Sequence, residues 1–109
     1  MTDQYEKLLT AIASDQFEQA YNLIISGLDL NVRCDQGASA LFPAILSADV
    51  SLVRLMLERG ADPNLIAEEP AASIYTEKPL ELAKQARFLM NREKFEPIVK
   101  LLEEFGAID

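Results

Sequence analysis

The sequence contains no histidine and no tryptophan, one cysteine and only four glycines. Without histidine the chain lacks the side chain that most often acts as a general base near neutral pH, so we expect no enzymatic activity. A single cysteine excludes a disulfide within the chain and favours a reducing, cytoplasmic setting. Four glycines do not form a glycine-rich loop that binds phosphate groups, so we predict no cofactor.

Positive charge and long apolar runs are also scarce. The chain has 10 basic and 18 acidic residues, a net charge of −8. No third of the sequence is basic, so we expect no nucleic-acid partner. No run approaches the ~20 apolar residues that a membrane span needs, and the N-terminal MTDQYEKLLT has no features of a targeting peptide. The composition predicts an acidic protein of one domain, residues 1–109.

The remaining residues offer little chemistry. The acidic pairs Glu68-Glu69 and Glu103-Glu104 lack the alternating spacing of a calcium loop, so we interpret them as solvated surface and expect no metal site. Cys34 has no histidine to activate its thiol, and we expect it to be inert. We therefore predict no small-molecule substrate.

Two apolar stripes at helical spacing lie between Gly37 and Asn64. Residues 41–45 place apolar side chains three and four positions apart, which predicts a short helix. Residues 50–57 are apolar on nearly all sides, so a helix there must be buried on more than one side. Gly60 then ends the second helix, where glycine is preferred. This pattern predicts a helix–turn–helix unit that needs neighbours on both sides.

This stretch resembles an ankyrin repeat. Residues 50–64, VSLVRLMLERGADPN, are similar to the family's V-V-x-L-L-L-x-x-G-A-D-x-N segment. Residues 37–44 resemble the opening G-x-T-P-L-H-x-A, with Ser39, Ala40 and Phe42 in place of Thr, Pro and His. We expect Phe42 to replace polar contacts with packing. The resemblance implies an all-α fold, a helical solenoid of about three ankyrin-type helix-turn-helix repeats, and a non-enzymatic protein-binding function.

The flanking segments extend the pattern in both directions. Gly27 and Gly60 are 33 residues apart, and the same offset places Asn31 on Asn64, which predicts equivalent loops. Gly60 and Gly106 are 46 residues apart, 13 more than this period. Six of the extra residues fall in 65–77, which we interpret as a longer loop. The other seven fall between the two helices of the last unit. The repeats are then about 2–33, 34–66 and 77–109.

The sequence predicts six helices in three hairpins. We expect the seven extra residues to extend the helix that starts at Pro79. The predicted helices are Gln4–Ser14, Phe17–Ser26, Ala40–Ala48, Ser51–Arg59, Pro79–Asn91 and Pro97–Phe105.

The resemblance also implies where a partner binds, namely at the turn tips and the inner face of the first helices. The corresponding residues are Arg33, Asp35, Gln36, Ala38, Leu46 and Ser47, with Gln85 in the third repeat. The 65–77 loop adds three large apolar side chains, Ile66, Ile74 and Tyr75. Exposed apolar groups indicate contact with a partner. The alternative is that Ile74 and Tyr75 fold back onto the third hairpin as a lid.

The charge distribution favours a basic protein partner, because the surface is acidic. The protein would then be an adaptor or regulator of that partner. The alternative is an inhibitor or immunity-type protein that neutralises a basic enzyme. A subunit of a larger complex is a third possibility.

The third repeat carries a small basic cluster of Lys84, Arg87, Arg92 and Lys94. This cluster is either a solvated face beside neighbouring glutamates or a docking patch for an acidic segment.

Overall fold

A computed structural model of the protein describes residues 2–34 and 36–108. Within these residues the chain forms seven helices and no strand, so the prediction of an all-α fold is confirmed. The helices are α1 (Thr2–Ala13), α2 (Phe17–Ile25), α3 (Leu41–Leu46), α4 (Val50–Glu58), α5 (Ala71–Ile74), α6 (Pro79–Leu89) and α7 (Arg92–Glu104).

The six longer helices pair in chain order into three hairpins, α1 with α2, α3 with α4, and α6 with α7. The hairpins lie side by side, so that α3 contacts both α1 and α6 while α4 contacts both α2 and α7. The first helices therefore form one layer and the second helices another. The molecule measures 35 × 27 × 25 Å.

The central hairpin provides the middle of the core. Leu41, Phe42 and Ile45 on α3, and Leu52 and Met56 on α4, are fully buried. Because α4 contacts α2, α3 and α7, its nearly continuous apolar surface is covered on several sides. This agrees with the prediction made from residues 50–57.

The turns of the first two hairpins share one backbone conformation. Asp15 (φ 59°) and Ala48 (φ 62°) both occupy the left-handed region and are 33 residues apart. Asp49 then caps α4, since its Oδ1 accepts a hydrogen bond from the Leu52 N–H at 3.2 Å. The 33-residue period found in the sequence therefore recurs in the backbone.

Two asparagines join successive hairpins through equivalent pairs of hydrogen bonds, which we call the asparagine bridges. Asn31 Nδ2 donates to the Gly60 carbonyl at 2.9 Å, and its Oδ1 accepts from the Asp62 N–H at 2.7 Å. Asn64 repeats the arrangement with the Gly106 carbonyl at 3.0 Å and the Ile108 N–H at 2.9 Å. The prediction that Asn31 and Asn64 close equivalent loops is confirmed.

The third hairpin differs from its prediction. The helix from Pro79 ends at Leu89 instead of Asn91, and α7 begins at Arg92, five residues before the predicted start at Pro97. The Asn91 side chain caps α7 by accepting the Lys94 N–H at 2.9 Å. The extra residues therefore lengthen α7 at its N-terminal end. Pro97 lies inside α7 and is exposed.

Among the described residues, no helix is long and apolar enough to span a membrane.

Candidate interaction surface

A buried phenol fixes the connection between the first two hairpins. The Tyr5 hydroxyl on α1 donates to the Val32 carbonyl at 2.6 Å and accepts from the Ala40 N–H at 2.7 Å. Burial raises the pKa of Tyr5 to about 12, although the Ala40 N–H acts in the opposite direction. The connection is thus held at both ends by one side chain. Sequence reasoning overlooked Tyr5, whose only signal is its position three residues before the buried Leu8.

The turn at residues 36–37, which precedes α3 and which we call the tip of the central hairpin, is fastened to the 65–77 loop. The Gly37 carbonyl accepts from the Glu68 N–H at 2.8 Å, and the Gln36 carbonyl accepts from the Ala71 N–H at 2.7 Å. A Cβ atom at Gly37 would lie 2.9 Å from the Glu68 carbonyl carbon and 3.0 Å from the Glu69 oxygen, and Gly37 has φ +97°. Both the backbone angle and the close approach therefore require glycine at this position.

The 65–77 loop packs on the central hairpin through Tyr75. The Tyr75 ring lies 5.7 Å from the buried Phe42 ring, at an interplanar angle of 48°, and burial raises the pKa of its phenol. Phe42 thus contributes packing, as expected from the sequence. Ile66 and Ile74 keep 45% and 66% of their surface exposed. The lid interpretation placed Ile74 and Tyr75 on the third hairpin, but the Tyr75 ring packs at a tilt against Phe42 of the central hairpin and Ile74 is exposed.

Several of the predicted partner-binding residues are accessible. Gln36 and Gln85 are exposed, and Leu46 is half-buried. Arg33 is held in place because its Nε donates to the Ile66 carbonyl at 2.9 Å, and its guanidinium lies 3.9 Å from the Glu68 carboxylate. Since the Glu68 N–H is bonded to the Gly37 carbonyl, Arg33 lies beside the fastened tip.

Three other predicted residues have a different status. Ala38 is only 2% exposed, so its side chain cannot contact a partner, and we remove it from the surface. Ser47 is half-buried, and its hydroxyl donates to the Ala44 carbonyl at 2.6 Å, which caps the end of α3. Asp35 lies outside the described residues.

A second surface was missed at the sequence level. Phe88, Leu89 and Met90 are 86%, 72% and 65% exposed, at the C-terminal end of α6. We call these three residues the apolar end of α6. They belong to the stretch that the sequence analysis treated only as an extension of the helix from Pro79. Their signal was an apolar run among the seven extra residues between the two helices of the last unit.

Basic residues surround the apolar end of α6. Residues 78–94 contain five basic and two acidic side chains, a net charge of +3. Since the whole chain carries −8, the remaining residues carry −11. Arg87 is oriented by Glu96, whose Oε1 lies 3.3 Å from Arg87 Nη1. Glu77 and Glu96 flank this stretch, so residues 77–96 carry five basic and four acidic side chains, a net charge of +1.

The described residues contain no group of three or more His, Cys, Asp or Glu side chains placed to hold a metal ion. Cys34 is a free, half-buried thiol. No protein-family model matches the chain, and no curated protein is significantly similar to it.

Proposed function

We propose that the protein is a small ankyrin-type repeat protein that binds another protein and has no catalytic activity. The observation that carries this proposal is the recurrence of specific contacts at the family's period. The asparagine bridges begin at Asn31 and Asn64, and the left-handed turns lie at Asp15 and Ala48, each pair 33 residues apart. Repeat proteins of this kind stack their units to form an extended binding surface.

The proposed binding surface is the tip of the central hairpin with the exposed side of the first helices. Gln36 lies at the tip of the central hairpin, whose backbone is bonded to the 65–77 loop. The Tyr5 hydroxyl holds the connection that contains this tip through its bonds to Val32 and Ala40. Leu46 and Gln85 continue the surface along α3 and α6. A surface held in place before binding loses less conformational entropy on association. Ile66 and Ile74 form its apolar edge.

The charge distribution indicates a basic partner. Outside residues 78–94 the chain carries −11, which would accelerate the encounter with a positively charged protein and make the association rate sensitive to salt. The same feature favours the alternative function of an inhibitor that covers the active site of a basic enzyme. The two functions differ in one measurement, because only an inhibitor abolishes its partner's turnover at saturating concentration. We place the protein in the cytoplasm, in line with its single cysteine.

The test begins with affinity capture from the native cell and identification of the bound proteins by mass spectrometry. Binding of the captured protein is then measured by calorimetry for Gln36→Arg and, separately, Leu46→Arg. Each change should weaken binding at least tenfold, or about 1.4 kcal/mol, with little change in thermal stability. The matched control is Gln19→Arg, an exposed position on α2 in the other layer. If only the control abolishes binding, the partner lies on the second helices and the proposed surface is wrong.

A further inference from the structure

The 65–77 loop has an inward side and an outward side. Ala71 is fully buried and Tyr75 packs against Phe42, so the inward side is fixed on the central hairpin. On the outward side Ile74 keeps 66% of its surface exposed. A single exposed apolar side chain is common on protein surfaces, so the groups beside Ile74 decide whether it belongs to a binding site.

The carboxylate of Glu69 is held in place next to Ile74. Its Oε1 accepts hydrogen bonds from the Ser73 hydroxyl at 2.6 Å and from the Ser73 N–H at 3.2 Å, and Ile74 directly follows Ser73 in the chain. No residue that the structure describes donates to Glu69 Oε2. A carboxylate that is oriented by hydrogen bonds and is exposed can pair with a lysine or arginine of another molecule.

The charge around Glu69 and Ile74 stays negative when the flanking residues are included. Residues 65–77 contain three acidic and no basic side chains, and residues 62–81 contain five acidic and one basic. The guanidinium of Arg33 lies 3.9 Å from the Glu68 carboxylate, which is still 67% exposed. With Arg33 counted as well, the region carries −3. A cationic ligand therefore complements it, whereas an acidic segment or an anionic bilayer is repelled.

We propose that Glu69 and Ile74 form a docking site for a basic polypeptide segment of another protein, in which a lysine or arginine stands beside a large apolar residue. The cation pairs with Glu69 Oε2, and the apolar side chain contacts Ile74. The site rests on the proposed function and identifies the element of its surface that selects a basic partner. The fixed backbone, and the carboxylate that Ser73 already orients, reduce the entropy lost on binding.

The experiment uses the full chain as bait for a phage-displayed library of random peptides. The library is first depleted on the chain that carries both Glu69→Gln and Ile74→Ser, which removes peptides that bind elsewhere on the acidic surface. We expect the enriched peptides to carry lysine or arginine next to a large apolar residue. The best of them is synthesised with a fluorescent label, and its affinity is measured by anisotropy at several salt concentrations. Salt should weaken binding to the unaltered chain.

Single variants of the full chain assign the two contacts. Glu69→Gln keeps an oxygen that accepts from Ser73 and removes the charge, and Ile74→Ser removes the apolar contact. Each should weaken binding of the peptide by roughly tenfold or more, and binding to Glu69→Gln should depend less on salt.

Matched controls separate this site from the rest of the surface. Glu104→Gln neutralises an exposed carboxylate at the end of α7, and Ile25→Ser removes an apolar side chain that is 51% exposed on α2. Both controls should bind the peptide normally. Thermal melting by circular dichroism establishes that every variant is folded. The altered residues are all exposed, so we expect melting temperatures close to that of the unaltered chain.

Three results would overturn the docking site. The first is a library that enriches no peptides or enriches peptides without basic residues. The second is binding that Glu69→Gln or Ile74→Ser leaves intact, or that the controls also lose. The third is a dimer in sedimentation that Ile74→Ser dissociates, which would assign Ile74 to a second copy of the chain.

The partner captured from the native cell distinguishes a failure of this site from a failure of the proposed function. If Gln36→Arg and Leu46→Arg release that partner but Glu69→Gln and Ile74→Ser do not, the docking site is wrong while the proposed function stands. If none of the four changes affects its binding, both are wrong.

Discussion

Replacing Tyr5 with phenylalanine should destabilise the protein by about 1–3 kcal/mol, although the ring and its packing remain. Within residues 2–34 and 36–108, the lost hydroxyl is the only hydrogen-bond partner of the Ala40 N–H, which donates to it at 2.7 Å. Ala40 is 0% exposed, so its N–H would be buried without a hydrogen bond, and an unsatisfied buried donor costs about 1–3 kcal/mol. The Val32 carbonyl also loses its bond, which lies in a partly buried site.

The measurement is urea denaturation followed by circular dichroism, with thermal melting alongside. A loss of 1 kcal/mol lowers the melting temperature of a domain of roughly this size by about 4 °C or more. The denaturant slope should not change, since no large surface is exposed in the native state. The control is Tyr21→Phe, because the Tyr21 hydroxyl donates to Asp49 Oδ2 at 3.3 Å in a half-buried site. We expect this control to lose less than about 1 kcal/mol. Equal stability of Tyr5→Phe and the unaltered chain would refute the assigned role of the hydroxyl.

Three further predictions concern stability. Burial raises the pKa of Tyr5 to about 12 from an ordinary value of 10. Its contribution to the free energy of unfolding is therefore complete below pH 10 and is lost between pH 10 and 12. Over that range the free energy of unfolding should fall more steeply with pH for the unaltered chain than for Tyr5→Phe. Asn64→Ala removes one asparagine bridge and should cost about 0.5–1.5 kcal/mol, with faster hydrogen exchange at the Ile108 N–H; unchanged exchange there would contradict the bridge. Leu57→Ala should lower the free energy of unfolding by about 2–5 kcal/mol, because Leu57 is 5% exposed. The same change at the half-buried Leu23 should cost less. Equal losses in chemical denaturation would argue against a central hairpin covered from both sides.

Much of the fold could be predicted because its signals are local and repeated. The glycines at 27 and 60, and the asparagines that follow each of them, mark a fixed period, and the structure places both asparagines in equivalent bonds. The apolar stripe of residues 50–57 correctly indicated burial on several sides. These inferences need only the positions of residues within one unit, which sequence periodicity records.

Other features depend on information that periodicity does not contain. The start of α7 was predicted at Pro97, yet the helix begins at Arg92, where the Asn91 side chain caps it. The exposure of Phe88 and Leu89 depends on which side of α6 its neighbours α3 and α7 cover. A continuous apolar run has no period from which burial can be deduced. Ala38 was included in the surface by alignment alone, and only the packed structure shows that it is buried.

The fastening of Gly37 to the 65–77 loop also determines which backbone amides lose their protection together. The Glu68 and Ala71 N–H groups donate to the Gly37 and Gln36 carbonyls, and Tyr75 at the end of the same loop packs against Phe42 of α3. The loop can therefore open only by leaving the central hairpin, which breaks both hydrogen bonds at once. We expect the amides of Glu68 and Ala71 to exchange with one common free energy of opening, as members of one local unit.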